Sequence, residues 1–155
     1  MRVLFTRSGL VGSRIIRGLT GEDISHVALE MDDIVIHARF DGVEIEGLPH
    51  FLEHNEIVRA YEISGDNRKR FWKAMLLEGS RYDKLAFFSI GLRIMLRKSL
   101  GIMIPSLNRW AVRRQYICTE FVDTILGVCE SNRQITPGEL EAELRKRPDI
   151  TEIRS

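Results

Sequence analysis

Cys118, His26 and His37 carry the side chains that nucleophilic attack on an acyl carbon requires, a thiol and two imidazoles. Cys118 stands where the apolar spacing of a helix begins. Unpaired N–H groups at a helix start stabilise a thiolate and an oxyanion beside it. A thiolate also needs a histidine that pairs with it and then protonates the leaving group. We therefore expect Cys118 to be ionised at lower pH than Cys129, which we interpret as a core residue.

Both histidines lie in residues 25–38, where alternating apolar and polar residues predict a β-hairpin that turns at residues 31–33. The apolar members of the pattern are Val27, Leu29, Ile34 and Ile36. Successive residues of a strand point to opposite faces of the sheet. The apolar residues are therefore expected to face a core, while His26, His37 and Glu30 share the other face.

The length of the hairpin loop decides whether the two histidines meet. A two-residue loop at 31–32 places His26 directly opposite His37. A loop at 32–33 places the histidines one diagonal step apart, and in both registers they lie within about 4.5 to 8 Å of each other. A three-residue loop would separate them. We expect His26 to act as the base and His37 to orient it, with Glu30 as the other candidate for the orienting role.

The remaining periodicities predict strands in the first half of the chain and helices in the second. The predicted strands are Val3–Phe5, Val43–Glu46 and Ile57–Ile63, with a short turn or helix at Gly9–Arg17. One predicted helix starts at Asp66, and a helical region with a break near Pro105 covers residues 85–114. A further helix spans Cys118–Leu126, and the last one starts at the capping box of Thr136. This order is typical of an α+β domain, and we expect a single domain over residues 1–155.

Four segments resemble motifs of the circularly permuted NlpC-type papain-like cysteine hydrolases, a branch related to the lecithin:retinol acyltransferase group. They are Ser25–Leu29, His37, Gly79–Asp83 and Tyr116–Val122. The histidine precedes the cysteine, as it does in the permuted branch. The resemblance implies a papain-like fold, with a small antiparallel sheet packed against helices, and catalysis by Cys118, His26 and His37. It also implies supporting roles for Tyr82, Asp83 and Tyr116.

The sequence departs from the family pattern at three positions. Ile117 is inserted between the tyrosine and Cys118, Ala28 stands where glycine is usual, and His37 stands where many members have a carboxylate. Family substrates range from peptide-like amides of cell walls to acyl lipids, so the resemblance leaves both an amidase or peptidase and an acyl hydrolase open. The apolar residues between Asp83 and Cys118 favour a substrate with an apolar group.

Two alternatives belong to other classes of function. His50 and His54 complete the His-x-x-Glu-His spelling of a zinc protease family, in which two histidines four residues apart bind the metal. A strand predicted from Ile57 limits any helix there to about two turns, with no third-ligand helix after it. We therefore expect no metal and no cofactor, and a zinc hydrolase is the alternative. A catalytically idle lipid- or peptide-binding module on the same fold is the other.

Composition limits the partners and the compartment. The chain has 23 Lys and Arg against 22 Asp and Glu, a formal net charge of +1, which argues against a nucleic-acid-binding protein. Residues 85–114 interleave apolar and basic side chains and are the candidate for peripheral contact with a membrane. With no recognisable signal peptide or membrane span, we expect a cytoplasmic protein whose Cys118 and Cys129 are both thiols.

Overall fold

The secondary structure alternates short strands and helices along the chain. The computed structural model describes residues 1–101, 115–129 and 135–153. The strands are β1 (Arg2–Arg7), β2 (His26–Met31), β3 (Ile34–Arg39), β4 (Gly42–Gly47), β5 (Glu56–Ile63), β6 (Arg81–Tyr82), β7 (Gln115–Tyr116) and β8 (Ile150–Ile153). The helices are α1 (Val11–Thr20), α2 (Leu48–His54), α3 (Arg68–Met75), α4 (Lys84–Leu100), α5 (Cys118–Leu126) and α6 (Pro137–Leu144).

Six of these strands form one antiparallel sheet in the order β4-β3-β2-β1-β5-β8, and β6 and β7 form a separate parallel pair. The predicted α+β class, with a small antiparallel sheet packed against helices, is confirmed at this level. Strand β8, which pairs with β5, was not predicted, because its four residues after Pro148 are too few to show a period.

Buried side chains cover both faces of the sheet, and this differs from the prediction of one core face. Phe71 of α3, Phe121 of α5 and Leu140 of α6 belong to the larger core on one face. Phe51 of α2 packs with Ala28 and three further apolar residues in a smaller core on the other. The face that carries the histidines is therefore buried rather than solvated.

The hairpin of β2 and β3 has the two-residue loop at Asp32 and Asp33. Its register pairs Leu29 with Ile36 and Met31 with Ile34. Both loop residues have positive φ, 54° and 62°, which matches a tight turn that requires the left-handed region at its two central positions. Aspartate tolerates that region better than most residues, so the sequence at the turn supports this register over the alternatives.

Helices α1 and α4 pack against each other at one end of the fold. Helix α1 was predicted as a short turn or helix, and it ends at Gly21, whose φ of 78° is the left-handed cap that glycine favours. Helix α4 covers the first part of the predicted helical region 85–114 and packs against α1, where Gly91 allows close approach of Leu19. The predicted break near Pro105 lies outside the described residues.

Candidate active site

His26 and His37 contact each other across the hairpin. Nε2 of His26 lies 2.9 Å from Nδ1 of His37, and the ring centroids are 5.1 Å apart at an interplanar angle of 70°. The prediction that the two histidines share a face is confirmed. His26 is the first residue of β2 and is partly exposed at the strand end, whereas His37 is 1% exposed.

Burial keeps both rings neutral at physiological pH. It lowers the pKa of His26 to about 4, with a smaller effect from the positive charge of Arg39. It lowers the pKa of His37 to about 2, assisted by His26 and Arg39. Each ring therefore carries one proton, and the contacts of its two nitrogens decide where that proton sits.

Glu46 of β4 faces the second nitrogen of His37. Its Oε1 lies 2.8 Å from Nε2 of His37, although the N–H direction is not that of an ideal hydrogen bond. A bare nitrogen lone pair so close to a carboxylate would be repelled, so we assign the proton to Nε2. Nδ1 of His37 then accepts a hydrogen bond from Nε2 of His26. This assignment leaves Nδ1 of His26 without a proton, as a base requires.

Glu30, the other residue predicted to orient His26, binds elsewhere. Its carboxylate accepts hydrogen bonds from Nε of Arg2 and, at 3.1 Å, from the backbone N–H of Asp33. Both of its oxygens are therefore engaged at the hairpin turn, and the carboxylate that reaches His37 is Glu46. Sequence reasoning missed Glu46 because it did not predict that β4 pairs with β3. The alternation of Val43 to Glu46 was the available signal.

Cys118 is the first residue of α5, as predicted, and it is buried. Backbone N–H groups of Val27, Thr119 and Cys118 itself lie around the sulfur and favour its ionised form. Because Val27 follows His26 directly, the thiol lies beside the start of β2. Among the hydrogen bonds of the described residues, none joins the thiol to the ring of His26.

The prediction that the Cys118 thiol is readily ionised is wrong for this conformation. Burial raises the pKa of the Cys118 thiol to about 11 and outweighs the surrounding N–H groups, and the negative charge of Glu120 raises it further. Glu120 is itself affected, because burial and the charges of Asp83 and Asp123 raise its pKa to about 7. The cysteine and the histidine therefore form a neutral pair.

One cavity of about 450 Å³ contains Cys118, His26, His37 and Glu46 in its lining. The rest of the wall is mostly apolar, and α1 and α4 are its largest contributors. Its apolar members include Ile15, Ile16 and Leu19 of α1, and Ile90, Leu92 and Ile94 of α4. The region after Asp83 was predicted to border the site, and the part that lies in α4 does so. The contribution of α1 was not predicted.

Tyr82, Asp83 and Tyr116, the predicted supporting residues, meet at the β6–β7 pair. Tyr82 pairs with Tyr116, and the backbone N–H of Asp83 donates to the carbonyl of Tyr116 at 3.2 Å. Tyr82 also lines the cavity and stacks on Phe40 with ring centroids 4.9 Å apart. Burial raises its pKa, so its hydroxyl is neutral. These residues join the segments before α4 and before α5 beside the cavity.

Both histidines of the zinc alternative, His50 and His54, lie on α2. Nδ1 of His50 contacts Glu53 at 3.1 Å, and Nε2 lies 3.7 Å from Glu46. The rings of His50 and His54 are 5.8 Å apart at an edge-on angle. Within the part of the chain that is described, no group of three or more ligating side chains has the arrangement of a metal site. Contacts with Glu46 and Glu53 account for the position of His50.

Both cysteines are free thiols, as predicted, and Cys129 packs at the edge of the larger core. No helix in the described ranges has the length and hydropathy to cross a membrane. No protein-family model matches the chain, and no curated protein is detectably similar to it.

Proposed function

We propose that this protein is a cysteine hydrolase of papain-like fold that cleaves the ester, thioester or amide bond of a substrate with an apolar acyl group. One observation carries the proposal. Glu46 contacts His37, His37 contacts His26, and the His26 ring borders the same cavity as the Cys118 thiol. With the protons assigned as above, this relay leaves Nδ1 of His26 able to act as the base. The resemblance to permuted NlpC-type hydrolases supports these roles, because it concerns the same three catalytic residues in the same order.

In the proposed reaction, Nδ1 of His26 takes the proton of the thiol while Sγ of Cys118 forms a bond to the acyl carbon. The bond from that carbon to its oxygen, sulfur or nitrogen leaving group breaks, and His26 gives the proton to the leaving group. Water then attacks the thioester with His26 again as base, which releases the acid and restores the thiol. The N–H groups of Cys118 and Thr119 at the helix start stabilise the negative oxygen in both steps.

The first step begins with both the Cys118 thiol and the His26 ring neutral. Because the pKa of the thiol is about 11 and that of His26 about 4, an ion pair is not preformed. The proton moves as the sulfur attacks, and the rearrangement that brings Sγ to Nδ1 accompanies substrate binding. Catalytic hydrogen bonds commonly tighten only when substrate occupies the site.

The apolar wall of the cavity supports an acyl group over a polar peptide. A volume of about 450 Å³ is in the range of sites that enclose small molecules. Isoleucine and leucine side chains from α1 and α4 offer few hydrogen-bond partners to peptide groups, which need them when buried. An alkyl chain needs none and gains free energy from leaving water.

The idle binding module is the second candidate, and the raised pKa of the Cys118 thiol is the observation in its favour. A module of this kind would bind the acyl group in the same cavity and would not react with it. Trapping the covalent intermediate separates the two candidates.

The experiment combines intact-mass analysis with turnover of p-nitrophenyl esters and acyl thioesters. We expect an acyl adduct on Cys118 in the wild type after rapid acid quench, and neither adduct nor turnover in Cys118→Ala. Cys129→Ala is the matched thiol control and should retain both. His26→Ala should lose about 10² to 10⁴ of the rate through lost acid–base catalysis. Undiminished turnover by Cys118→Ala would reject the nucleophile, and ligand binding without any adduct in the wild type would favour the idle module.

A further inference from the structure

Large apolar side chains are exposed around the mouth of the cavity. On α4, Phe88 is 72% exposed, Leu92 43% and Met95 48%. Their spacing of four and three residues places them in one stripe along the helix. On α1, Val11 is 72% and Ile15 53% exposed, again four residues apart. Because Ile15, Phe88, Leu92 and Met95 also line the cavity, the two stripes border one opening.

The same two helices carry charges of one sign. Helix α1 contains Arg14 and Arg17, and helix α4 contains four basic residues, Lys84, Arg93, Arg97 and Lys98. Neither helix contains an aspartate or a glutamate. In a chain with 23 basic and 22 acidic residues, six basic residues and no acidic one in 27 positions is a strong local bias. Arg14 and Lys84 are exposed. Arg14 lies three residues after Val11 and Lys84 lies four residues before Phe88, so each shares its side of the helix with an apolar stripe.

We propose that the exposed face of α1 and α4, here called the mouth face, docks on the surface of an anionic lipid bilayer. Apolar side chains enter the boundary of the acyl chains while arginines contact the charged head groups, the usual arrangement of helices that lie in a membrane interface. The cavity then opens toward the bilayer. Docking does not depend on the thiol chemistry, and together with the proposed function it implies that a lipid acyl group enters directly from the membrane.

Charge favours a bilayer over other partners for the mouth face. In a symmetric dimer a patch meets its own copy, so a second chain would bring like charges together. Nucleic acid would satisfy the arginines but would leave Phe88, Leu92 and Val11 in contact with a phosphate backbone. An anionic bilayer matches both the charge and the apolar side chains.

The test is co-sedimentation of Cys118→Ala protein with vesicles of phosphatidylcholine alone and of phosphatidylcholine with 30% phosphatidylglycerol, about a third of the lipid being anionic. We expect binding to the anionic vesicles, weak binding to the neutral ones, and loss of binding as salt rises. Replacing Arg14→Gln or Lys84→Gln should lower the partition coefficient about fivefold each. Lys69→Gln, an exposed cation on α3, is the matched control and should have no effect.

The apolar contribution is tested with Phe88→Glu and Val11→Glu, each of which should reduce binding at least about tenfold. Leu76→Glu, at an 83% exposed site at the C-terminal cap of α3, is the control and should bind like its parent. Equal binding of mouth-face and control variants, or equal binding to neutral and anionic vesicles, would overturn the proposal. A concentration-dependent dimer in sedimentation velocity that Phe88→Glu dissociates would assign the face to a second copy and would also overturn it. If wild-type protein hydrolyses soluble esters but does not bind vesicles, the docking proposal is rejected and the proposed hydrolase function stands.

Discussion

Nε2 of His26 lies 2.9 Å from Nδ1 of His37, and this contact decides which nitrogen of His26 can act as a base. A histidine in the orienting position can either donate or accept, so by itself it does not fix the tautomer of its partner. The carboxylate of Glu46 removes that ambiguity, because it keeps the proton of His37 on Nε2. The relay therefore consists of Glu46, His37 and His26. A carboxylate in place of His37 would fix the tautomer of His26 without a further residue.

The first prediction concerns this third member. Glu46→Gln can turn its amide N–H group toward Nε2 of His37, which would reverse both tautomers and place a proton on Nδ1 of His26. We expect kcat/KM to fall by tenfold or more, as expected when an orienting acid is replaced by its amide. Glu30→Gln, on β2, is the matched control and should keep full activity, because Glu30 binds Arg2 instead. The opposite ranking of the two variants would return the orienting role to Glu30.

Local patterns predicted helix α5 and the hairpin of β2 and β3. Helix α5 begins at Cys118 as its apolar spacing indicated, and the alternation in residues 25–38 placed His26 and His37 on one face. Both signals are short-range, because each depends on residues within one or two elements. The sequence left two registers of the hairpin open, and the structure has the one with the loop at Asp32 and Asp33.

Contacts between elements whose pairing was not predicted were missed. Glu46 reaches His37 because β4 forms a hairpin with β3, and the α1 wall of the cavity exists because α1 packs against α4, which is more than sixty residues away in sequence. The predicted thiolate failed for a similar reason. A helix start favours ionisation of Cys118, but its degree of burial, which has the larger effect, is set by the whole fold.

The second prediction concerns the reactivity of the thiol toward iodoacetamide. Because burial raises the pKa of Cys118 to about 11, its alkylation rate in native protein should keep rising through pH 9. In urea the alkylation rate of the same cysteine should have the pH dependence of an ordinary thiol, with a midpoint at about pH 8.5. Peptide mapping after timed quenching gives the rate at Cys118 separately from Cys129. A plateau that is already reached at pH 6 in the native protein would instead indicate a thiolate–imidazolium pair.

The third prediction concerns acid stability. The unfolded chain binds protons at its histidines below pH 6.5, whereas folded His37 has a pKa of about 2. The unfolded state therefore binds more protons as pH falls, and stability decreases below pH 6.5. Between pH 6.5 and pH 5, His37 alone should cost about 2 kcal/mol of the free energy of unfolding. Urea titrations at both pH values should give a smaller loss for His37→Gln than for wild type, and an equal loss would contradict the neutral buried ring.

The fourth prediction concerns Glu120, whose pKa is raised from 4.5 to about 7, mainly by burial. Here the folded state binds more protons than the unfolded state between these values, so stability decreases as pH rises from 4.5 through 7. Glu120→Gln removes that loss and should stabilise the protein at pH 8 by up to about 3 kcal/mol. It should also lower the pKa of Cys118, which the charge of Glu120 raises.

A matched control for Glu120→Gln exists in α6. Glu139 is the third residue of α6, as Glu120 is of α5, and each belongs to the capping box of its helix. Glu139 accepts a hydrogen bond from the N–H of Thr136 at 2.9 Å. Glu139→Gln changes the same kind of cap outside the cavity and should not stabilise at pH 8. If both variants gained stability equally, the effect would belong to the caps and not to the buried carboxylate beside Cys118.

The last prediction concerns the acyl group, measured with a chain-length series of acyl thioesters and matched acyl amides. Each methylene that enters the apolar cavity should contribute up to about 0.8 kcal/mol, so kcat/KM should rise with chain length and then level off when the cavity is full. Ile94→Trp fills part of the wall and should move the levelling point to shorter chains. Leu76→Trp, at the exposed C-terminal cap of α3, should leave the profile unchanged. A flat series in the wild type, with no difference between the two variants, would reject the acyl cavity and favour a short peptide-like amide as the substrate.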